Sequence, residues 1–216
     1  MKNNKSSIEF YKKVASNIND AVDVKLLAKN DYTHYDIEFI KKYTNKSFTL
    51  LDLGSGTGLI INKLVDNFKS ITAVELFKEF SKFIIKDKKI HIIHSNLLEF
   101  TSDNKYNIIT MFGTAHYFNS DESLLIYEKV YSMLENNGTF ILKNQFGIKK
   151  TKTVTSSEEL GDDYYAQYRE LKFEIHRLES IGFTDIGIVD IYPKEANRWD
   201  DTHFYALVCK KGKLLK

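Results

Sequence analysis

From residue 48 onward, short runs of apolar, β-favouring residues alternate with stretches whose apolar positions recur every three to four residues. Phe48–Leu53, Ile71–Val74, Ile90–Ser95, Tyr106–Phe112 and Thr139–Asn144 read as strands. Between them, Ile60–Phe68 places Ile60, Ile61, Leu64, Val65 and Phe68 on one helical face, and Phe77–Ile85 reads as a second helix. Asp121–Leu134 predicts an amphipathic helix with Leu124, Leu125, Tyr127, Val130, Tyr131 and Leu134 apolar; Asn136-Asn137-Gly138 is its stop signal. A long helix is predicted over about Tyr164–Ile181, ending at Gly182. Thr184–Tyr192 and His203–Lys210 are two closing strands, joined by a loop around Pro193 with no helix between them.

Strands alternating with helices predict an α/β chain whose mostly parallel sheet is covered on both faces. The two consecutive final strands predict a closing hairpin, and hence one antiparallel strand. The first 47 residues differ. Helical patterns at Ile8–Ile18 and Tyr35–Tyr43 flank the segment Asp31-Tyr32-Thr33-His34-Tyr35. We read residues 1–47 as an N-terminal helical cap over the ligand edge of the sheet, and residues 48–216 as one structural unit.

Composition narrows the partners. A length of 216 residues suits one domain, and 43% hydrophobic content supplies its core. The 31 basic and 29 acidic residues nearly cancel, so bulk charge gives no support for nucleic-acid binding. A single cysteine, Cys209, excludes a disulfide framework and a cysteine-held iron–sulfur cluster. The apolar runs are too short to span a membrane, and residues 1–20 show no secretory pattern. The expectation is a soluble cytoplasmic protein of undetermined oligomeric state. Only three basic residues are arginine: Arg169, Arg177 and Arg198.

The chemistry starts at Leu50-Leu51-Asp52-Leu53-Gly54-Ser55-Gly56-Thr57-Gly58, an apolar strand running into a glycine turn that opens a helix. A dinucleotide fingerprint would need glycine at position 59, which is Leu59. The carboxylate of Asp52 beside the turn is unhelpful to a pyrophosphate and suits a cationic ligand. Glu75 ends the second strand, where a carboxylate can accept both hydroxyls of a ribose. Asn96 follows the third strand, where an amide can meet an adenine edge.

These residues resemble the class I S-adenosylmethionine-dependent methyltransferases. Leu51–Gly58 is similar to that family's glycine motif, Glu75 to its ribose acid, and Asn96 to its adenine contact, which is usually Asp. The resemblance covers about residues 48–210. It implies a Rossmann-like seven-stranded sheet of order 3-2-1-4-5-7-6 with strand 7 antiparallel, in accord with the closing hairpin. It also implies that S-adenosylmethionine is held by Asp52, Gly54, Ser55, Gly56, Gly58, Glu75, Leu76, Asn96, Leu97 and Phe112.

Several acceptors are then disfavoured. Enzymes that methylate base amines resemble Asp/Asn-Pro-Pro-aromatic at the end of strand four; here that strand ends Phe112-Gly113-Thr114-Ala115-His116. A cytosine-C5 enzyme needs a cysteine there, and Cys209 lies in the last strand. Metal-dependent enzymes of the catechol type place acids at that tip, so no metal is expected. A small-molecule acceptor remains. His116 either takes an acceptor proton or simply packs its loop; His203 is the second candidate base. Tyr117, Asn144, Gln145, Tyr165, Tyr168, Arg169, Arg198 and Trp199 fall in segments that border the acceptor side. Two of the three arginines in such segments suggest an anionic acceptor, since a guanidinium fork matches carboxylate and phosphate. A looser similarity to small methyltransferases of bacterial surface-polysaccharide pathways suggests a sugar derivative. The alternatives are a cofactor-binding partner subunit without turnover and an NAD-dependent oxidoreductase.

Overall fold

The computed structural model describes residues 4–25, 31–156, 164–197 and 199–212. The chain opens with helices α1 (Asn4–Asn17) and α2 (Thr33–Lys41), then alternates β1 (Thr49–Leu53), α3 (Ile61–Leu64), β2 (Ser70–Glu75), α4 (Lys78–Ser81), β3 (Ile90–His94), β4 (Tyr106–Phe112) and α5 (Ser120–Met133). It continues through β5 (Leu134–Gly147), β6 (Lys152–Val154), β7 (Ala166–Tyr168), α6 (Leu171–Ile181), β8 (Phe183–Val189) and β9 (Thr202–Lys211). Among the described residues, seven strands form one sheet of order β3-β2-β1-β4-β5-β9-β8. Counting only those strands, this is the expected 3-2-1-4-5-7-6. The first five run parallel, and β9 is antiparallel to both β5 and β8.

Side-chain alternation along the strands splits the core into two layers. Leu51 and Leu53 of β1 pack with Ile126, Tyr127 and Val130 of α5 and with Leu178 of α6. Leu50 faces the other way, onto Phe39 and Ile40 of α2 and Ile61 and Leu64 of α3. Helix α5 starts at a reciprocal cap, in which Asn119 and Glu122 each accept the other's backbone N–H.

The structure corrects several expected boundaries. The helix predicted over Tyr164–Ile181 begins only at Leu171. The preceding residues alternate instead: Ala166 and Tyr168 are buried around a half-exposed Gln167, and β7 pairs with β6 in a small hairpin. The two helices after β1 and β2 are each a single α-turn, α3 being continued by a 3-10 turn over Val65–Asn67. Strand β5 begins at Leu134, earlier than expected, and Asn137 takes a positive φ of 62° within it.

Helix α1 lies across the carboxyl edge of the sheet. Phe10 meets Tyr164 at 5.4 Å between ring centroids, and Tyr11 meets Phe80 of α4 at 6.3 Å. The Ser7 hydroxyl is 3.3 Å from the carbonyls of Tyr117 and Tyr165. Among the described residues, no helix is long and apolar enough to cross a membrane.

Candidate active site

The carboxyl ends of β1, β2, β4 and β5, together with α1 and α2, enclose a cavity of about 520 Å³. That volume lies in the range of small-molecule sites, roughly 300–1,000 Å³. At one end stands the glycine turn. Gly54 and Gly56 have φ of +76° and +54°, a region that side chains other than glycine's rarely adopt. A Cβ on Gly54 would also come within 2.5 Å of the Thr114 hydroxyl oxygen, so the turn can pack against the loop after β4 only with glycine there.

Two carboxylates face this turn. Glu75 accepts the Gly56 amide through Oε2 at 2.8 Å and the Phe77 amide through Oε1 at 2.9 Å. Burial pushes its carboxyl above the usual range, those amides oppose the rise, and the charge on Asp52 adds to it. Asp52 accepts the Thr110 hydroxyl through Oδ1 at 2.6 Å. Burial raises its carboxyl to about 6 against that hydrogen bond. Among the described residues, no cationic side chain draws either carboxyl down. Two buried acids whose charge no described cation offsets fit a ligand that brings a sulfonium, an ammonium and ribose hydroxyls. A pyrophosphate would add to the repulsion.

Ser55, Leu76, Asn96, Leu97 and Phe112 line the same cavity, whereas Gly58 shapes the turn without lining it. The Asn96 side-chain oxygen Oδ1 accepts the Leu98 amide at 3.0 Å, and its Nδ2 donates to the Asn4 side-chain oxygen of α1 at 3.3 Å. Asn96 thus ties the helix over the cavity to the tip of β3.

His116, Tyr117, Gln145 and Tyr168 line the cavity beyond Phe112. His116 lies 2.7 Å through Nδ1 from Oδ1 of Asn144, and the Asn144 Nδ2 donates to the Gln145 carbonyl at 3.1 Å. With the amide oxygen as acceptor, the proton of neutral His116 sits on Nδ1, and Nε2 is the basic nitrogen. The ring stacks on Tyr168 at 5.2 Å. Asn144 is fully buried behind His116 and orients it without touching the cavity. Tyr117 and Tyr11 share a hydrogen bond between their hydroxyls.

Other expected acceptor residues lie elsewhere. Arg169 is 1% exposed. Its Nε donates to both oxygens of Glu174 at 2.8 and 3.0 Å, one Nη to the Phe118 carbonyl at 2.7 Å, and the other to the Ala115 carbonyl at 3.1 Å and the Tyr127 hydroxyl at 3.2 Å. The fork that was expected to clamp an anion is consumed within the fold. His203 stands outside the cavity wall, between Asp190 at Nε2 and Asn197 at Nδ1, 2.8 Å from each. Tyr165 is buried away from the cavity, and Trp199 packs beside Tyr168 under Lys152. Arg198 lies outside the described residues.

The sequence reading missed three residues that the fold brings together on the wall of the same cavity. Lys143 of β5, Asp36 of α2 and Tyr192 of the β8–β9 connection all line it. Lys143 Nζ donates to Asp36 Oδ2 at 2.9 Å and to the Tyr192 hydroxyl at 2.7 Å, and that hydroxyl donates to Asp36 Oδ2 at 2.7 Å. Burial pulls the Lys143 amine below its ordinary value while Asp36 opposes the shift. Burial and the Asp36 charge push the Tyr192 phenol up. A signal was present in the sequence: Lys143 directly follows the apolar run Phe140-Ile141-Leu142, inside a strand of a sheet expected to be covered on both faces.

Comparison with known proteins gives the family and the fold. The family model described as ribosomal RNA adenine dimethylase matches residues 2–158. A carboxy-S-adenosyl-L-methionine synthase of Nautilia profundicola is 22% identical over 77% of this chain and 74% of its own length. An uncharacterized methyltransferase of Bacillus cereus is 26% identical over 62% of this chain; the match spans 65% of that relative. Among solved structures, the DhpI complex with S-adenosylhomocysteine superposes with a TM-score of 0.71 at 15% identity, covering 98% of both chains. The Burkholderia thailandensis 1,6-didemethyltoxoflavin-N1-methyltransferase gives 0.72 at 14% identity, over 97% of this chain and 89% of its own.

Proposed function

The chain belongs to the ribosomal RNA adenine dimethylase family, within the class I S-adenosylmethionine-dependent methyltransferases, and from that premise we propose that it methylates an oxygen or nitrogen of a small polar molecule. S-adenosylmethionine is its methyl donor and, when bound, supplies a methyl group on a positively charged sulfur. In this reading Asp52, Gly54, Ser55, Gly56, Glu75, Leu76, Asn96 and Leu97 hold the donor. Glu75 accepts the ribose hydroxyls on lone pairs that its two backbone amides leave open. Asp52 offsets positive charge near the glycine turn. Phe112 walls the passage toward the acceptor, and His116 accepts the acceptor's proton at Nε2. Arg169 and Asn144 serve as positioning residues, one fixing the loop 115–118 and the other fixing the His116 ring.

The observation that carries a small acceptor is the burial of the cavity's polar lining: Asp36, Lys143 and His116 are 2%, 6% and 6% exposed. Such a pocket suits a compact molecule. The family's name refers to adenine in ribosomal RNA, and two features weigh against that acceptor here. The tip of β4 lacks the Asn/Asp-Pro-Pro-aromatic pattern, and the net charge of +2 offers little attraction to a phosphate backbone. Negative charge on the acceptor loses its main support with Arg169 turned inward. A sugar hydroxyl, as in surface-polysaccharide pathways, remains a member of the proposed class.

The test is transfer of labelled methyl groups from S-adenosylmethionine into a bacterial extract split into small-molecule and RNA fractions. We expect label in the small-molecule fraction. Label confined to RNA would overturn the proposal.

A further inference from the structure

The cluster of Asp36, Lys143 and Tyr192 has one open valence. Asp36 Oδ2 receives two hydrogen bonds, from Lys143 Nζ and the Tyr192 hydroxyl. Its Oδ1 is buried and, among the described residues, receives none. A carboxylate oxygen can only accept, so whatever completes this site must bring an N–H or O–H. The donors of the cluster are already engaged. The Tyr192 hydroxyl gives its proton to Asp36. Lys143 donates to both partners, and its ammonium also lies 4.6 Å from the ring centroid of Tyr192, 5.1 Å from Phe112 and 6.0 Å from Phe204. The charge of Lys143 is matched by that of Asp36. An anion arriving here would therefore meet an unsatisfied carboxylate oxygen and an ammonium that is already neutralised.

We propose that Asp36 Oδ1 accepts a hydrogen bond from a hydroxyl or amine of the bound acceptor, so that this wall of the cavity selects neutral, donor-bearing acceptors over anionic ones. The inference rests on the small-molecule reading above and specifies its substrate class. Lys143 and Tyr192 act as positioning residues that fix the carboxylate plane from the other side. The surrounding rings of Tyr32, Tyr192 and Phe204 give the acceptor an apolar wall, with Tyr32 and Phe204 each packed on Tyr192 at 5.3 and 5.2 Å between centroids.

The test uses four aromatic probes of similar size, phenol, aniline, anisole and benzoate, titrated into the protein saturated with S-adenosylhomocysteine and followed by ligand-observed NMR. Phenol and aniline carry the donor, anisole lacks it, and benzoate is an anion. We expect phenol and aniline to bind at least about tenfold more tightly than anisole or benzoate, the range of a hydrogen bond to a charged group. In Asp36→Asn, Lys143 and Tyr192 both need an acceptor and hold the amide oxygen. That turns the NH2 group to the open position, and the preference should invert toward benzoate. The wild-type comparison stands alone if the variant does not fold. Equal binding of all four probes, absence of binding by phenol and aniline up to 10 mM, or preference for benzoate in the wild type would each overturn the inference; the last would restore an anionic acceptor. Calorimetry with S-adenosylhomocysteine on the same samples separates the two levels. Failure to bind it refutes the methyltransferase site itself, whereas binding with the wrong probe order refutes only the role of Asp36.

Discussion

Asp52→Asn should make the free protein more stable while weakening its hold on the methyl donor. The carboxyl of Asp52 is raised from 3.8 to about 6 by burial. A raised carboxyl means that the folded state holds the proton more tightly than the unfolded chain, so stability falls as pH climbs through the window between the two values. At pH 7 the buried charge is fully formed and costs about 3 kcal/mol, at ~1.4 kcal/mol for each tenfold change in proton affinity. The asparagine removes that charge and keeps an oxygen for the Thr110 hydroxyl, which now donates to Asp52 at 2.6 Å. It also relieves Glu75, whose carboxyl is pushed up partly by Asp52. For a chain of this size about 3 kcal/mol corresponds to a rise in Tm of roughly 6–12 °C. The gain should shrink to about half at pH 5, where Asp52 of the wild type is largely protonated, and vanish below pH 4. Calorimetric melting at pH 7, 5 and 4 reads this directly, and titration with S-adenosylmethionine at pH 7 reads the functional loss. A variant that melts at or below the wild type at pH 7, or that binds the donor as tightly, would refute the electrostatic role assigned to Asp52.

Glu75→Ala should weaken binding of S-adenosylhomocysteine by about 1.5–3 kcal/mol in calorimetry, since it removes a charged hydrogen-bond acceptor from the ribose; unchanged affinity would place the ribose elsewhere. His116→Ala should lower kcat by roughly 10²–10⁴-fold once an acceptor is in hand, with donor affinity near wild type. A small change in kcat would make His116 a packing residue of its loop. Arg169→Ala should destabilise the fold by about 3–5 kcal/mol in denaturant unfolding, because Glu174 would be left buried and unpaired. Methyl transfer should persist in excess chelator, and loss of turnover restored by Mg²⁺ would show a metal requirement.

What the sequence makes legible here is what is decided locally. The positive φ of Gly54 and Gly56 is a demand of the chain itself, visible as glycine, and Glu75 follows about 20 residues on, at the end of the next strand, where the sheet order sets it beside the turn. The hairpin of β8 and β9 is legible because two strand patterns follow with no helical one between them. Tyr164–Arg169 misleads for an equally physical reason. Tyr164 and Tyr168 stand four apart, as on one helical face, and their hydroxyls do meet at 3.0 Å. The partner that makes the segment a strand, Lys152–Val154, lies outside any local window. The acceptor side is hidden in the same way. Lys143 and Asp36 are 107 residues apart and Tyr192 is 156 from Asp36, so only the packed sheet and α2 create the cluster.

For the two described arginines, the scarcity of arginine carries information about the fold. Both described arginines sit where α5 and α6 meet. Arg177 donates to the Ser120 carbonyl and the Ser123 hydroxyl at the start of α5. Arg169 reaches Glu174, Tyr127 and the carbonyls of Ala115 and Phe118 at once. A guanidinium presents five donors in one plane and so can reach several acceptors in different directions at once. A lysine, with three donors on a single nitrogen, could not satisfy the same set, and each buried carbonyl left over would be costly. The opposite holds at Lys143. There the partners are one carboxylate oxygen and one hydroxyl, with aromatic faces around the remaining directions. A compact point charge fits that space and a planar fork would not. Arginine is thus used where a loop must be pinned in several directions, and lysine where one charge must be held still beside the cavity. His116 depends on the first kind of site and Asp36 on the second. The two proposed functional groups on the acceptor side are therefore fixed by buried cations that never need to touch the acceptor.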